Sequence, residues 1–221
     1  MTSGNFSFDT IQNFDQHIRN SIPNYDLLFD AVVSVSKFFS DPEATMIDVG
    51  CSTGQMLNAM PHTGLKIGVD QSANLLPMVS EGSTMFKHSD IRDFNFLEYG
   101  KTCFVTSIFT LQFLPFNDRY KILVDIYQSL KAGGGFLWAE KVTCEHGDDQ
   151  DLMTFAHYDF KRRSFSAEQI LRKEEDLRGL MHCNTSNGNH QLARQAGFGN
   201  GLLVWKFFNF ECYLYRKSFD R

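Results

Sequence analysis

Apolar residues recur at helical spacing in two early stretches, Phe8 to Asn20 and Tyr25 to Phe39, with Pro23 between them. Both are predicted as amphipathic helices. Asp41-Pro42-Glu43 is a turn into a first strand, Met46-Ile47-Asp48-Val49. A loop bounded by Gly50 and Gly54 follows, then a short helix from Thr53 to Met60, stopped at Pro61. Leu65 to Asp70 is a second strand, and Ala73 to Val79 a short helix with Pro77 counting against it. Thr84 to Lys87 is a third strand. Cys103 to Phe109 is a fourth, apolar throughout as a buried parallel strand should be. Asp118 to Leu130 has helical periodicity, with Tyr120, Leu123, Val124, Tyr127 and Leu130 on one face. Lys131-Ala132-Gly133-Gly134-Gly135 stops that helix and leads into a fifth strand, Phe136 to Lys141. Asp149 to Arg163 and Ala167 to His182 are two helices inserted after it, and Asn187 to Gln195 is a further short one. Gly201 to Phe208 and Asn209 to Arg216 read as an antiparallel pair joined by a tight turn. Strand–helix alternation closed by a hairpin predicts an α/β fold, mostly parallel, with an antiparallel C-terminal edge strand.

The 221 residues suit one domain, with a helical cap over 1–44 and a helical insertion over 147–185. A net charge of −5 argues against a large phosphate-binding surface, so no direct nucleic-acid contact is expected. The basic patch Lys161-Arg162-Arg163, with Arg172 and Lys173, reads as a solvated helix face. Cys51, Cys103, Cys144, Cys183 and Cys212 show no metal-ligand spacing; free thiols and no metal are expected. No signal peptide and no membrane-length apolar run is present, so the expected compartment is the cytoplasm.

The chemistry concentrates at the strand ends. M-I-D-V-G-C-S-T-G, Met46 to Gly54, is a strand–loop–helix entry of the kind that meets a nucleotide. Gly50 and Gly54 permit a tight turn, and the loop amides with the helix start offer to hold a carboxylate or phosphate. Ser52 stands where the dinucleotide pattern has a glycine, and no G-K-[ST] follows, so neither that fingerprint nor a P-loop is present. Asp70 ends the second strand about 20 residues later, the spacing at which a carboxylate meets ribose hydroxyls. A plain helix N-cap before Gln71-Ser72 is the alternative. Asp90 and Ile91 follow the third strand, where a surface turn is the simpler reading of each alone. Ile108 and Phe109 close the fourth strand on the same sheet edge.

The loop with its two downstream acids resembles the first motifs of S-adenosylmethionine (SAM) dependent methyltransferases. The resemblance implies a Rossmann-like class I methyltransferase sheet, the adenine amino group on Asp90 and the ring packed on Ile91. Further blocks tighten it: Phe14-Asp15 with Ser21-Ile22-Pro23-Asn24-Tyr25, Phe109-Thr110-Leu111-Gln112-Phe113-Leu114, Ala139-Glu140-Lys141, Asp159-Phe160-Lys161-Arg162 and Phe207-Phe208-Asn209-Phe210. In this order, from about Phe14 to Lys217, the chain is similar to the carboxy-S-adenosylmethionine (carboxy-SAM) synthase family. That resemblance implies a homodimer that converts SAM and prephenate into carboxy-SAM and phenylpyruvate, for a partner that carboxymethylates wobble uridine in tRNA. It further implies that Tyr25 contacts the methionine end, with Asp48, Gly50, Cys51, Ser52 and Gly54 at the loop. Asp70 and Gln71 take the ribose, Asp90 and Ile91 the adenine, with Ile108 and Phe109 beside the ligand.

Three positions depart from that family. Glu174 falls where an arginine clamps the extra carboxylate, and an acid there is expected to repel it. Ile108 replaces an asparagine, and Asn20 replaces an arginine. Three readings therefore follow, the first of them leading and the other two its alternatives. One is plain methyl transfer from SAM to a small acceptor, which needs alignment more than acid–base help; Tyr25, Glu140, His157 and Tyr158 are its candidate catalytic groups. The second is carboxy-SAM synthesis. The third is a SAM-binding protein without catalysis.

Overall fold

Seven strands form one sheet in the order β3-β2-β1-β4-β5-β7-β6 in the computed structural model, which describes residues 13–78 and 82–219. The strands are β1 (Thr45–Val49), β2 (Lys66–Asp70), β3 (Thr84–His88), β4 (Thr102–Ile108), β5 (Leu130–Lys141), β6 (Leu202–Phe207) and β7 (Phe210–Arg216). The first five run parallel, and β7 is antiparallel to both β5 and β6. The reversed strand β7 therefore lies one place in from the edge, and β6 forms the edge itself.

The helices are α1 (Phe14–Ser21), α2 (Tyr25–Ser36), α3 (Gln55–Ala59), α4 (Phe116–Ser129), α5 (Gly147–Lys161), α6 (Ala167–Leu177) and α7 (Ser186–Gln195). Strand alternation divides the core in two. Ile47, Val105, Phe136 and Trp138 face Leu123 and Ile126 of α4 and Ala193 of α7. Met46, Phe104, Leu137 and Ala139 face Leu28 and Val32 of α2 and Met56 of α3. A sheet covered on both faces needs apolar residues at successive positions, and β1 and β4 have them. None of the helices among the described residues is long and apolar enough to cross a membrane.

Several boundaries differ from the sequence expectation; the helix predicted over Ala167 to His182, for one, ends at Leu177. The start of the first predicted helix, Phe8 to Gln12, lies outside the described residues, and the helix runs from Phe14. The helix after the glycine loop shrinks to Gln55–Ala59, because Gly54 adopts φ +72° and serves as its cap. Ala73 to Met78 forms turns rather than a helix. Pro77 has no N–H to donate and bars Leu76 from helical geometry; Val79 lies outside the described residues. The run Lys131 to Gly135 is not a loop but the first half of β5. A Cβ at Gly135 would lie 2.6 Å from Phe39, whose ring stacks on Phe104 at 4.9 Å, so the glycine makes room for that pair.

Candidate functional site

The carboxyl ends of β1, β2, β3 and β4 open into a cavity of about 530 Å³. Small-molecule sites commonly measure roughly 300–1,000 Å³. Tyr25, Asp48, Gly50, Cys51, Ser52, Asp70, Gln71, Asp90, Ile91, Ile108 and Phe109 all line it. Gly54 does not: it sits behind the loop, packed under Phe86.

The loop is held from within. Gly50 and Cys51 donate their N–H groups to the Val69 carbonyl at 2.8 and 3.1 Å, and Gly54 donates to the Cys51 carbonyl at 2.8 Å. Asp70 Oδ2 accepts the Ser52 N–H at 2.9 Å, while Oδ1 accepts the Ser72 N–H at 2.8 Å. Four loop amides are thus committed inside the protein. These four point inward, so any hold of this loop on a ligand carboxylate or phosphate rests on the start of α3 and on side chains. Ser52 takes φ +49°, so the left-handed position usually given to glycine is kept without one. Its Oγ is buried with no partner in the protein and lines the cavity. A buried hydroxyl left this way costs free energy unless a bound molecule pairs it. Phe109, at φ +57°, is a second left-handed residue on the cavity wall. Strained backbone of this kind persists where the surroundings over-determine it.

Asp48 is buried and accepts the Thr106 hydroxyl at 2.7 Å. Burial pushes its carboxyl up to about 7, and Asp70 adds to the rise. A carboxyl raised this way stabilises the fold fully below its unfolded value, and that contribution is lost as pH rises through about 7. Asp48→Asn keeps an acceptor for Thr106 and has no charge to bury. In ligand-free protein it should be more stable than wild type at pH 8, by on the order of a few kcal/mol, with the gap narrowing toward pH 4. Thermal melts at the two pH values check this, and parallel profiles for the two proteins would refute it.

Asp90 is gripped by its neighbour: Arg92 Nε lies 3.0 Å from Oδ1 and Nη2 2.5 Å from Oδ2. These contacts hold its carboxyl below the ordinary range. Burial raises Tyr25 far above the usual phenol range, with Asp48 and Asp15 adding to it, so it stays a donor and is not a base. Burial likewise raises the Cys51 thiol, which packs against Gly68.

Among the catalytic candidates, Tyr25 and His157 line the cavity, and Glu140 and Tyr158 do not. Glu140 lies behind the wall, accepting the Gln112 N–H at 3.1 Å and the Trp138 Nε1–H at 2.8 Å. The period of two along β5 explains this: Lys141 enters the cavity and Glu140 turns away. Tyr158 is rotated off the face that carries His157 and Lys161, which are four residues apart on α5. Burial lowers His157 to about 4, so the ring is neutral and its Nε2–H donates to the Ser21 carbonyl at 2.8 Å.

The far end of the cavity is cationic, which residue order alone did not reveal. Lys141, Lys161 and Lys173 line it together with Glu174. Lys161 Nζ lies 3.1 Å from Glu174 Oε1. Burial by itself raises Glu174, but Lys141 and Lys161 outweigh it and hold the carboxyl below its usual range. Burial lowers Lys173 to about 8, and Lys161 contributes to the drop. Glu174 is thus paired with Lys161 in the field of Lys141, and Lys173 lines the same cavity. Arg172 is exposed and does not line the cavity. Asp15, Thr53, Gln55, Gln112 and Lys141 were not among the residues expected at the site from sequence, and the reading of Lys161 and Lys173 as part of a solvated helix face is corrected, since Lys161 is buried and both line the cavity. Spacing offered one signal, the i, i+4 pair His157 and Lys161.

Residues 47–138 match a methyltransferase domain family. The chain is 30% identical over 213 residues to a carboxy-S-adenosyl-L-methionine synthase of Staphylococcus epidermidis, covering 92% of each chain. It is 31% identical over 223 residues to a protein of that name from Shewanella amazonensis, covering 94% of this chain and 90% of the other. Solved structures share the fold. Synechocystis magnesium protoporphyrin IX methyltransferase with bound SAM aligns at TM-score 0.57 and 12% identity, over 96% of this chain and 93% of the other. Human N-acetylserotonin methyltransferase with SAM aligns at TM-score 0.57 and 17% identity, over 88% of this chain and 52% of the other. With its Rossmann-like sheet, its strand-end acids and this likeness over nearly its whole length, the chain is a SAM-dependent transferase and belongs to the carboxy-S-adenosyl-L-methionine synthase family.

Proposed function

We propose that this chain makes carboxy-SAM from SAM and prephenate. The observation that carries the proposal is the cationic corner of Lys161 and Lys141 beside Glu174, with Lys173 lining the same cavity. A plain methyl donor has no need of three ammonium groups in its pocket, one buried and two half-buried, whose desolvation is costly. A ligand with an added carboxylate repays that cost by Coulomb attraction in a partly dry pocket. The other residues suit the rest of the molecule. Asp70, fixed by two amides, stands at the end of β2 where ribose hydroxyls are met. Ile91 offers an apolar floor for the adenine ring, Ser52 Oγ an unpaired polar atom, and Tyr25 a neutral hydroxyl over the methionine end. Lysines hold a carboxylate as point charges and lack the two-pronged geometry of arginine, so the clamp here is built by charge count.

The test is mass spectrometry of small molecules released from denatured protein, together with turnover of SAM and prephenate. Carboxy-SAM in the extract and phenylpyruvate in the assay are the expected results. Lys161→Ala should weaken carboxy-SAM binding by roughly tenfold or more while changing SAM affinity little. SAM alone in the extract, with no prephenate consumed, would sink the proposal and leave plain methyl transfer as the reading.

A further inference from the structure

Helix α1 lies across the cavity without burying any of its own residues, yet Phe14, Asp15, His17, Ile18 and Ser21 all line that cavity. A helix of eight residues is too short to persist on its own propensity, so its contacts hold it in place. Polar contacts tie its two ends. At one end Asp15 accepts the Thr53 hydroxyl at 2.8 Å on Oδ1 and the Gln55 amide at 2.7 Å on Oδ2. At the other end the Ser21 carbonyl accepts the His157 N–H. Between them Arg19 reaches Asp26 at 2.7 Å, and the His17 ring meets Phe165 edge-on. Thr53 and Gln55 belong to the glycine loop and the start of α3, so Asp15 ties the strap to the ligand loop itself.

We propose that α1 is a strap over the ligand, that the Asp15 clasp to Thr53 and Gln55 holds it shut, and that ligand enters and leaves only when the clasp opens. Asp15 is then a positioning residue that governs exchange. This goes beyond the proposed reaction and holds for any SAM-type ligand in the cavity. The proposal puts the clasp in the free protein as well as the loaded one, which fixes the kinetic signature. A gate already closed in the free protein slows entry and exit together, since only the open fraction exchanges. A residue that merely touches bound ligand slows exit alone.

The experiment is stopped-flow binding and chase of S-adenosylhomocysteine with the full chain, comparing wild type, Asp15→Ala and Gln55→Ala. Hydrogen bonds to a carboxylate are each worth roughly a factor of ten. Asp15→Ala removes two such bonds and should therefore raise both the association and the dissociation rate by up to about a hundredfold, and Gln55→Ala, which removes one, by about tenfold. A thermal melt beside each assay reports folding, and Gln55→Ala keeps the test alive if Asp15→Ala does not fold. A rise in the dissociation rate alone would overturn the gate, and so would unchanged rates in both variants. Failure of prephenate turnover with the kinetic signature intact would count against the proposed reaction and leave the strap standing.

Discussion

Replacing Arg119 with methionine should destabilise the protein by about 3–5 kcal/mol, the usual cost of stripping one partner from a buried ion pair. In a chain of this size that is a fall of roughly 10 °C in melting temperature. Arg119 is fully buried, with its guanidinium 3.9 Å from Glu140 Oε2. It also donates to the His182 carbonyl at 2.7 Å and the Leu114 carbonyl at 3.3 Å, joining α4 to segments on either side of the cavity mouth. Glu140 stays behind in the variant, with only the Gln112 and Trp138 N–H groups for support. Burial already pushes this carboxyl up to about 7 against the pull of Arg119, and without that pull it climbs further. Its folded value lies above its unfolded one, so the stability it contributes is complete in acid and lost as pH rises through the folded value. The variant's deficit should therefore be larger at pH 8 than at pH 5. Adding Glu140→Gln should recover much of it, because the buried charge is then gone. Urea titrations of the three variants at both pH values read these effects. An Arg119→Met protein as stable as wild type at pH 8 would show that the pair is not dry.

The same glutamate shows how far the sequence reads. Asp48, Asp70 and Asp90 were legible because each stands at the end of a β-branched or apolar run, and strand ends on one edge of a parallel sheet converge. Glu140 stands at such an end as well, and only the strand's two-residue alternation separates it from Lys141, which enters the cavity. Calling the side needs the sheet's orientation relative to the cavity, which no local pattern contains. The cationic corner was beyond local reading for a different reason. Lys141 comes from β5, Lys161 from α5, and Lys173 with Glu174 from α6. Along the chain Glu174 looks like a lone acid where a cation belongs. In space it is a neutralised partner of Lys161. The glycine run before Phe136 was misread because three glycines ordinarily mark a turn. Here the demand comes from the Phe39 and Phe104 rings passing over Gly135.

Alanine at Gly50 should abolish useful SAM binding, with affinity falling by on the order of a hundredfold or more. Two penalties add. Gly50 sits at φ +73°, where an L-residue is strained by about 1–2 kcal/mol. The new Cβ would also stand 2.1 Å from Thr110 Oγ1 and 2.5 Å from its Cγ2, distances no pair of atoms sustains. Thr110 cannot simply step back, since it follows Phe109, whose backbone is itself left-handed and tied to the Ala139 carbonyl at 2.8 Å. Either the glycine loop or the Phe109 wall must move, and both line the cavity. If the loop moves, the Gly50 and Ser52 amides leave Val69 and Asp70, and the Asp70 carboxylate loses its orientation. Gly100→Ala separates the two causes, for its φ is +77° but nothing lies within 4 Å of the added carbon. It should show backbone strain in a melt and bind S-adenosylhomocysteine normally by calorimetry. Thr110→Ala in the Gly50→Ala background removes the two nearest atoms and leaves a contact at 2.8 Å, so it should restore binding in part. Wild-type affinity in the single Gly50→Ala protein would mean that the loop does not press against Thr110 at all, and the placement of the β1 and β4 strand ends around the ligand would have to be redrawn.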